Sequence, residues 1–182
     1  MSGDRYYIQD QHATYFLTFT VVDWIDLFTR PDYKYIITDS LNYCIEHKGL
    51  ECFGWVLMSN HLHLIARAKA PARMSDVIRD LKKFTSKKLA DAVQTGAESR
   101  KEWLLHKFEY HAKSTGRAEN YKIWKDDNHA ICLDGQIPFQ QKLDYIHMNP
   151  VKQMIVAEPY EYLFSSAGDY CGKQGIVKVT LE

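Results

Sequence analysis

Two histidines separated by a single residue are the clearest candidates for chemistry in this chain. They lie in the segment MSNHLHLI at residues 58–65. Side chains on a β-strand alternate between its faces, so a strand here would present His61 and His63 on one face and Leu62 and Leu64 on the other. Two imidazoles on one face are typical of a metal site. The same pattern also occurs in an ordinary pair of histidines on a half-buried strand.

A tyrosine and an asparagine near the C-terminal end form a second candidate set. In the segment KLDYIHMNPVK at residues 142–152, Tyr145 and Asn149 are four residues apart and would share one face of a helix. A tyrosine hydroxyl can be a nucleophile, and an amide oxygen can be a metal ligand. Both residues also have structural explanations, because a helical tyrosine commonly packs with a polar tip and Asn-Pro commonly ends a helix.

A group of basic residues lies between these two sets, on the outward faces of a helix predicted over residues 73–93. Its members are Arg79, Lys82, Lys83, Lys87 and Lys88. They form either a solvated helix face or a surface that binds phosphates. The formal net charge of the chain is zero, so any nucleic-acid site must depend on a local patch such as this one.

The elements that must position these residues follow from hydrophobic periodicity and turn residues. The sequence predicts strands at 15–22, 51–58 and 61–68 and helices at 32–47, 73–93 and 138–149. Residues 103–110 fit a strand or a short helix, and 120–133 are irregular, with Trp124 as an anchor. This order predicts an α+β fold, an antiparallel sheet with helices packed on one side, of the ferredoxin-like kind. Residues 1–182 would form a single domain, with 157–182 as a tail packed on it.

The composition limits the classes of protein. The 182 residues fit one domain, and 46% hydrophobic with 25% charged residues is typical of a soluble globular protein. The four cysteines are scattered without a CxxC pair, which argues against a structural zinc site or a disulfide framework. The N-terminus lacks a signal region, and no apolar run approaches the ~18 residues needed to span a membrane. We therefore expect a cytoplasmic protein that does not insert into membranes.

The two candidate sets together resemble a known family. His61-Leu62-His63, followed by the block Tyr-Ile-His-x-Asn-Pro-Val-Lys at 145–152, is similar to the single-strand tyrosine transposases of the HUH superfamily, in particular the REP-associated branch. The resemblance covers most of the chain: residues 4–7 are similar to the start of that branch, and Ser165-Ser166 to its tail.

The resemblance implies a role for each candidate residue. His61 and His63 would bind one divalent metal, Asn149 would be its third protein ligand, and Tyr145 would attack a DNA phosphate. Mg²⁺ or Mn²⁺ would serve, with Mn²⁺ at least as good because it accepts nitrogen ligands more readily; Zn²⁺ would also bind the histidines. The partner would be single-stranded or hairpin DNA. The resemblance allows either a monomer or a homodimer. It also leaves open whether Tyr145 acts with the histidines of its own chain or of a partner chain.

Some positions depart from the family pattern. The family usually has Trp-Gln where this chain has WKDDNH, at residues 124–129, and a glycine where this chain has Gln153. These departures leave the recognised DNA sequence undetermined. Two other functions remain as alternatives. A domesticated hairpin-DNA binder would keep the fold without catalysis, and a metal-dependent hydrolase would use the histidines with water as the nucleophile.

Overall fold

A computed structural model describes residues 7–133 and 138–181. Four strands form one antiparallel sheet in the order β2-β3-β1-β4. The strands are β1 Tyr15–Thr20, β2 Leu50–Leu57, β3 His61–Ala68 and β4 Ile131–Cys132, and the helices are α1 Pro31–His47, α2 Met74–Thr95, α3 Lys101–Thr115, α4 Phe139–His147 and α5 Asn149–Lys152. Short 3-10 turns lie at Val22–Trp24, Pro159–Glu161 and Asp169–Cys171. The predicted α+β class with an antiparallel, ferredoxin-like sheet is confirmed.

Strand β3 is central to the sheet and pairs on both sides. It forms the predicted hairpin with β2, and it pairs antiparallel with β1 so that Thr18 lies opposite His63. The aromatic and β-branched residues of β1 are almost all buried, as expected for a central strand. This register places the two buried histidines on an inner strand of the sheet, between β2 and β1.

The two faces of the sheet are covered by different helices. Phe19 and Leu62 point toward α1 and α2, where they line a small cavity with Ile37 and Leu81. Helix α4 packs on the opposite face, over Gly54: a Cβ at that glycine would lie 2.6 Å from Leu143 Cδ1. The expected packing on one side therefore holds for α1 and α2, while α4 covers the face that carries the histidines.

The structure shows how the ambiguous region folds and how α2 and Trp124 pack. The ambiguous region is helical, as α3, and ends at Gly116 in a left-handed conformation with φ of 62°. Phe84, which continues the helical spacing of Val77 and Leu81, is exposed, and Thr85 is buried in its place. A buried threonine is tolerated there because its hydroxyl donates to the Leu81 carbonyl and accepts from the Trp124 indole. Trp124 is the predicted anchor, stacked on Phe28.

The segment after residue 157 lies along β2, at the edge of the sheet. The Leu57 N–H donates to the Phe164 carbonyl, and the Thr180 N–H donates to the Cys52 carbonyl near the other end of the strand. These bonds satisfy backbone groups that an edge strand would otherwise expose. The family-like N-terminal residues 4–6 lie outside the described residues. In the described part of the chain, none of the helices is long and apolar enough to cross a membrane.

Candidate active site

His61 and His63 are oriented by hydrogen bonds to their Nδ1 atoms. His61 Nδ1 lies 2.7 Å from the Asn60 side-chain oxygen, and His63 Nδ1 lies 2.9 Å from the Thr18 hydroxyl. The two ring centroids are 4.6 Å apart, as expected for neighbours on one strand face. Partners on Nδ1 fix the ring orientation and leave the Nε2 atoms for a ligand, which is how metal-binding histidines are usually supported.

Both imidazoles are neutral near pH 7. Burial lowers the pKa of His61, and burial together with the charges of His61, Lys142 and His129 lowers the pKa of His63 to about 3. Because a histidine must be deprotonated to bind a metal, these environments favour the form that can act as a ligand.

Tyr145 lies beside this pair in the same chain. Its ring is 5.5 Å from that of His63 and 6.0 Å from that of Phe16, measured between centroids. Phe16 in turn stacks on His63 at 5.2 Å. Tyr145 remains 42% exposed, so its side chain is open to solvent. The structure therefore brings together the tyrosine and the histidines that the sequence analysis singled out.

Asn149 lies one turn further along, but not in the same regular helix as Tyr145. Helix α4 ends at His147, and Asn149 begins the single-turn helix α5. The helix predicted to run to 149 therefore ends two residues earlier, because Pro150 is well suited to the first turn of a new helix. The Asn149 side chain is buried.

The histidine pair fits a metal with few protein ligands. Within residues 7–133 and 138–181, no three His, Cys, Asp or Glu side chains converge to form a cluster that could bind a metal. The two Nε2 atoms would be neutral nitrogen ligands, so an ion here would need further oxygen ligands, including those of the substrate. Such a ligand set is more typical of Mn²⁺ or Mg²⁺ that acts on a phosphate than of a metal in a closed structural site.

Two lysines near Tyr145 were missed by the sequence analysis. Lys142 Nζ is 4.7 Å from the Phe16 ring centroid and 5.7 Å from that of Tyr145, and Lys152 Nζ is 5.3 Å from the Tyr145 ring centroid. Lys142, three positions before Tyr145, shares its face of α4, so helical spacing could have found it, whereas Lys152 lies in α5, beyond the end of α4 at His147. These ammonium groups supply positive charge where a phosphate would meet the tyrosine.

The basic residues of α2 are not part of this site, because α2 packs on the other face of the sheet. Arg79 is paired with Asp76 and Asp80. Lys82 Nζ donates to the Lys125 carbonyl and to the Asn128 side chain, and burial lowers its pKa to about 8. The remaining three, Lys83, Lys87 and Lys88, line a groove of about 770 Å³ between α1 and α2.

His147, in the same motif as Tyr145, supports α4 rather than the reaction. Its Nε2 lies 2.8 Å from the Ser166 hydroxyl, and that hydroxyl accepts the Trp55 N–H. Burial lowers the pKa of His147 to about 4. The contact ties the tyrosine-bearing helix to strand β2 and to the C-terminal segment, which gives the Ser165-Ser166 pair of the sequence analysis a structural role.

The comparison with protein families agrees with this arrangement. The family model described as "Transposase IS200 like" matches residues 12–126, more than half of the chain. The chain therefore belongs to the IS200-like transposase family. The matched segment contains His61 and His63 and ends before Tyr145. The curated proteins gave no match.

One solved structure shows the same fold, and a second is similar at a lower score. The structure described as a REP-associated tyrosine transposase bound to a REP hairpin matches with a TM-score of 0.63 and 19% identity, over 99% of this chain and 92% of the other. A putative transposase from Deinococcus radiodurans R1 matches with a TM-score of 0.46 and 17% identity, over 80% and 95%. The first match agrees with the predicted resemblance to the REP-associated branch.

Proposed function

We propose that this protein is a metal-dependent single-strand DNA transesterase that cleaves and rejoins DNA through a 5′-phosphotyrosine intermediate. The observation that carries the proposal is the position of Tyr145, an exposed tyrosine whose ring contacts His63. A nucleophile, a histidine pair and added positive charge on one sheet face are what phosphoryl transfer needs.

The reaction would be an exchange of phosphodiester bonds. The Tyr145 oxygen attacks phosphorus, the bond from phosphorus to the 3′-oxygen breaks, and the phenolic proton ends on the released 3′-hydroxyl. Because a phosphodiester is retained, another 3′-hydroxyl can reverse the step and join new ends. A phenol is a weak nucleophile until it loses its proton, so its attack needs assistance from the site.

The residues around Tyr145 would have different roles in the reaction. His61, His63 and Asn149 would hold Mg²⁺ or Mn²⁺, which polarises a non-bridging phosphate oxygen when bound. Asn60 and Thr18 keep the two imidazoles oriented. Lys142 and Lys152 offset the negative charge of the phosphate as it approaches the tyrosine.

Hairpin DNA is the proposed substrate. The solved structure with the same fold is described as bound to a REP hairpin. The chain has no net charge, which favours a local contact with one strand or hairpin over a broad duplex surface. Lys83, Lys87 and Lys88 of α2 would form a secondary phosphate contact away from the reacting face, while Arg79 and Lys82 are already engaged by protein groups.

A covalent-adduct assay tests the proposal. Labelled hairpin oligonucleotides are incubated with the protein and Mn²⁺ or Mg²⁺ and separated on a denaturing gel. We expect a metal-dependent protein–DNA band that disappears in Tyr145→Phe and His63→Ala and persists in Tyr110→Phe, a control at another exposed tyrosine. Metal-dependent cutting without an adduct would instead indicate the hydrolase. Tight binding without cutting would indicate the non-catalytic binder.

A further inference from the structure

A tryptophan beside the histidine pair is exposed and has no part in the chemistry described above. Trp24 is 57% exposed, and its indole meets the His61 ring edge-on with centroids 6.3 Å apart. An aromatic side chain of this size usually buries roughly 150–250 Å². An indole left open next to a candidate metal ligand is therefore a candidate contact for substrate.

The backbone around this indole is held in an unfavourable conformation. Asp23 and Trp24 both have left-handed φ values, 54° and 55°, which residues other than glycine rarely adopt. The Asp23 carboxylate is fixed from α3 by His111 at 2.9 Å and Lys107 at 3.2 Å. Asn60, the partner of His61, also donates its Nδ2 to the Trp24 carbonyl at 3.4 Å. The backbone that carries the indole is thus held beside His61.

A positive charge accompanies the exposed ring. Lys125 Nζ lies 4.4 Å from the centroid of the Trp24 ring. The Lys125 backbone is held on both sides: its N–H donates to the Thr20 carbonyl at 2.8 Å, and its carbonyl accepts from Lys82 at 2.6 Å. An aromatic surface with an adjacent ammonium matches one nucleotide, which presents a flat base and a phosphate.

We infer that Trp24 and Lys125 form a binding subsite for one unpaired nucleotide of the DNA, with the base stacked on the indole and its phosphate at the Lys125 ammonium. The inference rests on the proposed function only for the class of ligand, single-stranded DNA. Because Trp24 contacts His61, the bound nucleotide would lie next to the histidine pair. The subsite would therefore hold the unpaired flank of a hairpin rather than its stem.

Tryptophan fluorescence tests this subsite without any chemistry. Trp55 and Trp124 are buried, so replacing Trp103, the other exposed tryptophan at 49%, leaves Trp24 as the solvent-facing reporter. In Tyr145→Phe, Trp103→Phe protein without added metal, we expect a hairpin with a single-stranded extension to quench the fluorescence. The same hairpin with blunt ends should quench far less. No quenching by the extended hairpin at saturation would overturn the inference.

Affinity measurements separate stacking from a structural effect. Trp24→Ala should weaken binding of the extended hairpin about 5- to 150-fold, whereas Trp24→Phe should retain most of the affinity because phenylalanine also stacks. Trp103→Ala is the matched control and should bind like the parent. Unchanged affinity in Trp24→Ala, or loss of affinity in Trp24→Phe with a native circular dichroism spectrum, would contradict the subsite. If the wild-type protein forms no adduct but its DNA binding still depends on Trp24, the proposed transesterase function would be overturned while the subsite would stand.

Discussion

The two faces of the sheet differ in how completely helices cover them. The face with Phe19 and Leu62 is closed by α1 and α2; Lys82 of α2 is used inside the fold there, while the other α2 lysines line an outer groove. The face with His61 and His63 is covered only in part by α4, so neutral imidazoles lie beside a solvent-accessible tyrosine. The basic run in the sequence therefore marks a surface of the fold, whereas the candidate chemistry lies on the face where two lysines flank one tyrosine.

The largest effect should come from separating the two halves of the candidate site. The Tyr145–His63 contact lies within one chain, so each chain should carry a complete site. Mixing Tyr145→Phe with His63→Ala protein should therefore restore no adduct formation on hairpin DNA. The control is wild-type protein diluted into either variant, which should retain activity in proportion to its amount. Recovery of activity in the mixture would show that the tyrosine acts on the histidines of another chain.

Removing Lys142 should slow the chemical step more than it weakens binding. Its ammonium lies over Phe16 and Tyr145, where charge on the phosphate develops. We expect Lys142→Gln to lower the single-turnover rate of adduct formation about 100-fold, in the range seen when one charge-stabilising donor is removed. Lys87→Gln, a control on the other face, should leave that rate unchanged at saturating DNA. Equal reductions in the two variants would remove the distinction between the faces.

The buried imidazoles should make folding stability depend on pH. The pKa of His63 is lowered to about 3 and that of His147 to about 4, so between these values and about 6.5 the unfolded chain binds more protons than the folded one. The free energy of unfolding should therefore fall as the pH drops below about 6.5, by up to about 1.4 kcal/mol per pH unit for each histidine.

Urea denaturation at several pH values, with a chelator present, measures this dependence. In His147→Gln, the free energy of unfolding should depend less steeply on pH, because the contribution of His147 is lost and that of His63 remains. A slope in the variant equal to that of the parent would show that His147 is not buried as a neutral group.

The smallest effect should come from the α2 lysines. Replacing Lys83, Lys87 and Lys88 with Gln should weaken hairpin binding modestly and lower the slope of its salt dependence by about one for each phosphate that is no longer neutralised. Adduct formation at saturating DNA should not change. Titrations at several salt concentrations measure this slope, with Lys101→Gln on α3 as a control. An unchanged salt slope would show that α2 does not bind the DNA.

Much of this arrangement could be predicted from the sequence. Period-2 alternation put His61 and His63 on one face, and the spacing of Tyr145 and Asn149 put them one turn apart, because local geometry decides such relations. Which face α4 covers could not be predicted, since it depends on the absence of a side chain at Gly54. Lys82 was assigned to DNA from its charge, but its ammonium is used inside the fold. The position of Trp24 could not be predicted, because it depends on contacts with His61 and Lys125, which are distant in sequence.

The most direct test of the proposed mechanism is to identify the residue that carries the DNA. The adduct is formed with Mn²⁺, digested with nuclease and trypsin, and analysed by mass spectrometry. Trypsin cleavage after Lys142 and Lys152 releases Tyr145 in the peptide 143–152. The mechanism predicts a nucleotide linked through a 5′-phosphate to Tyr145 in this peptide. A nucleotide on another tyrosine, or cleaved DNA with peptide 143–152 unmodified, would contradict it.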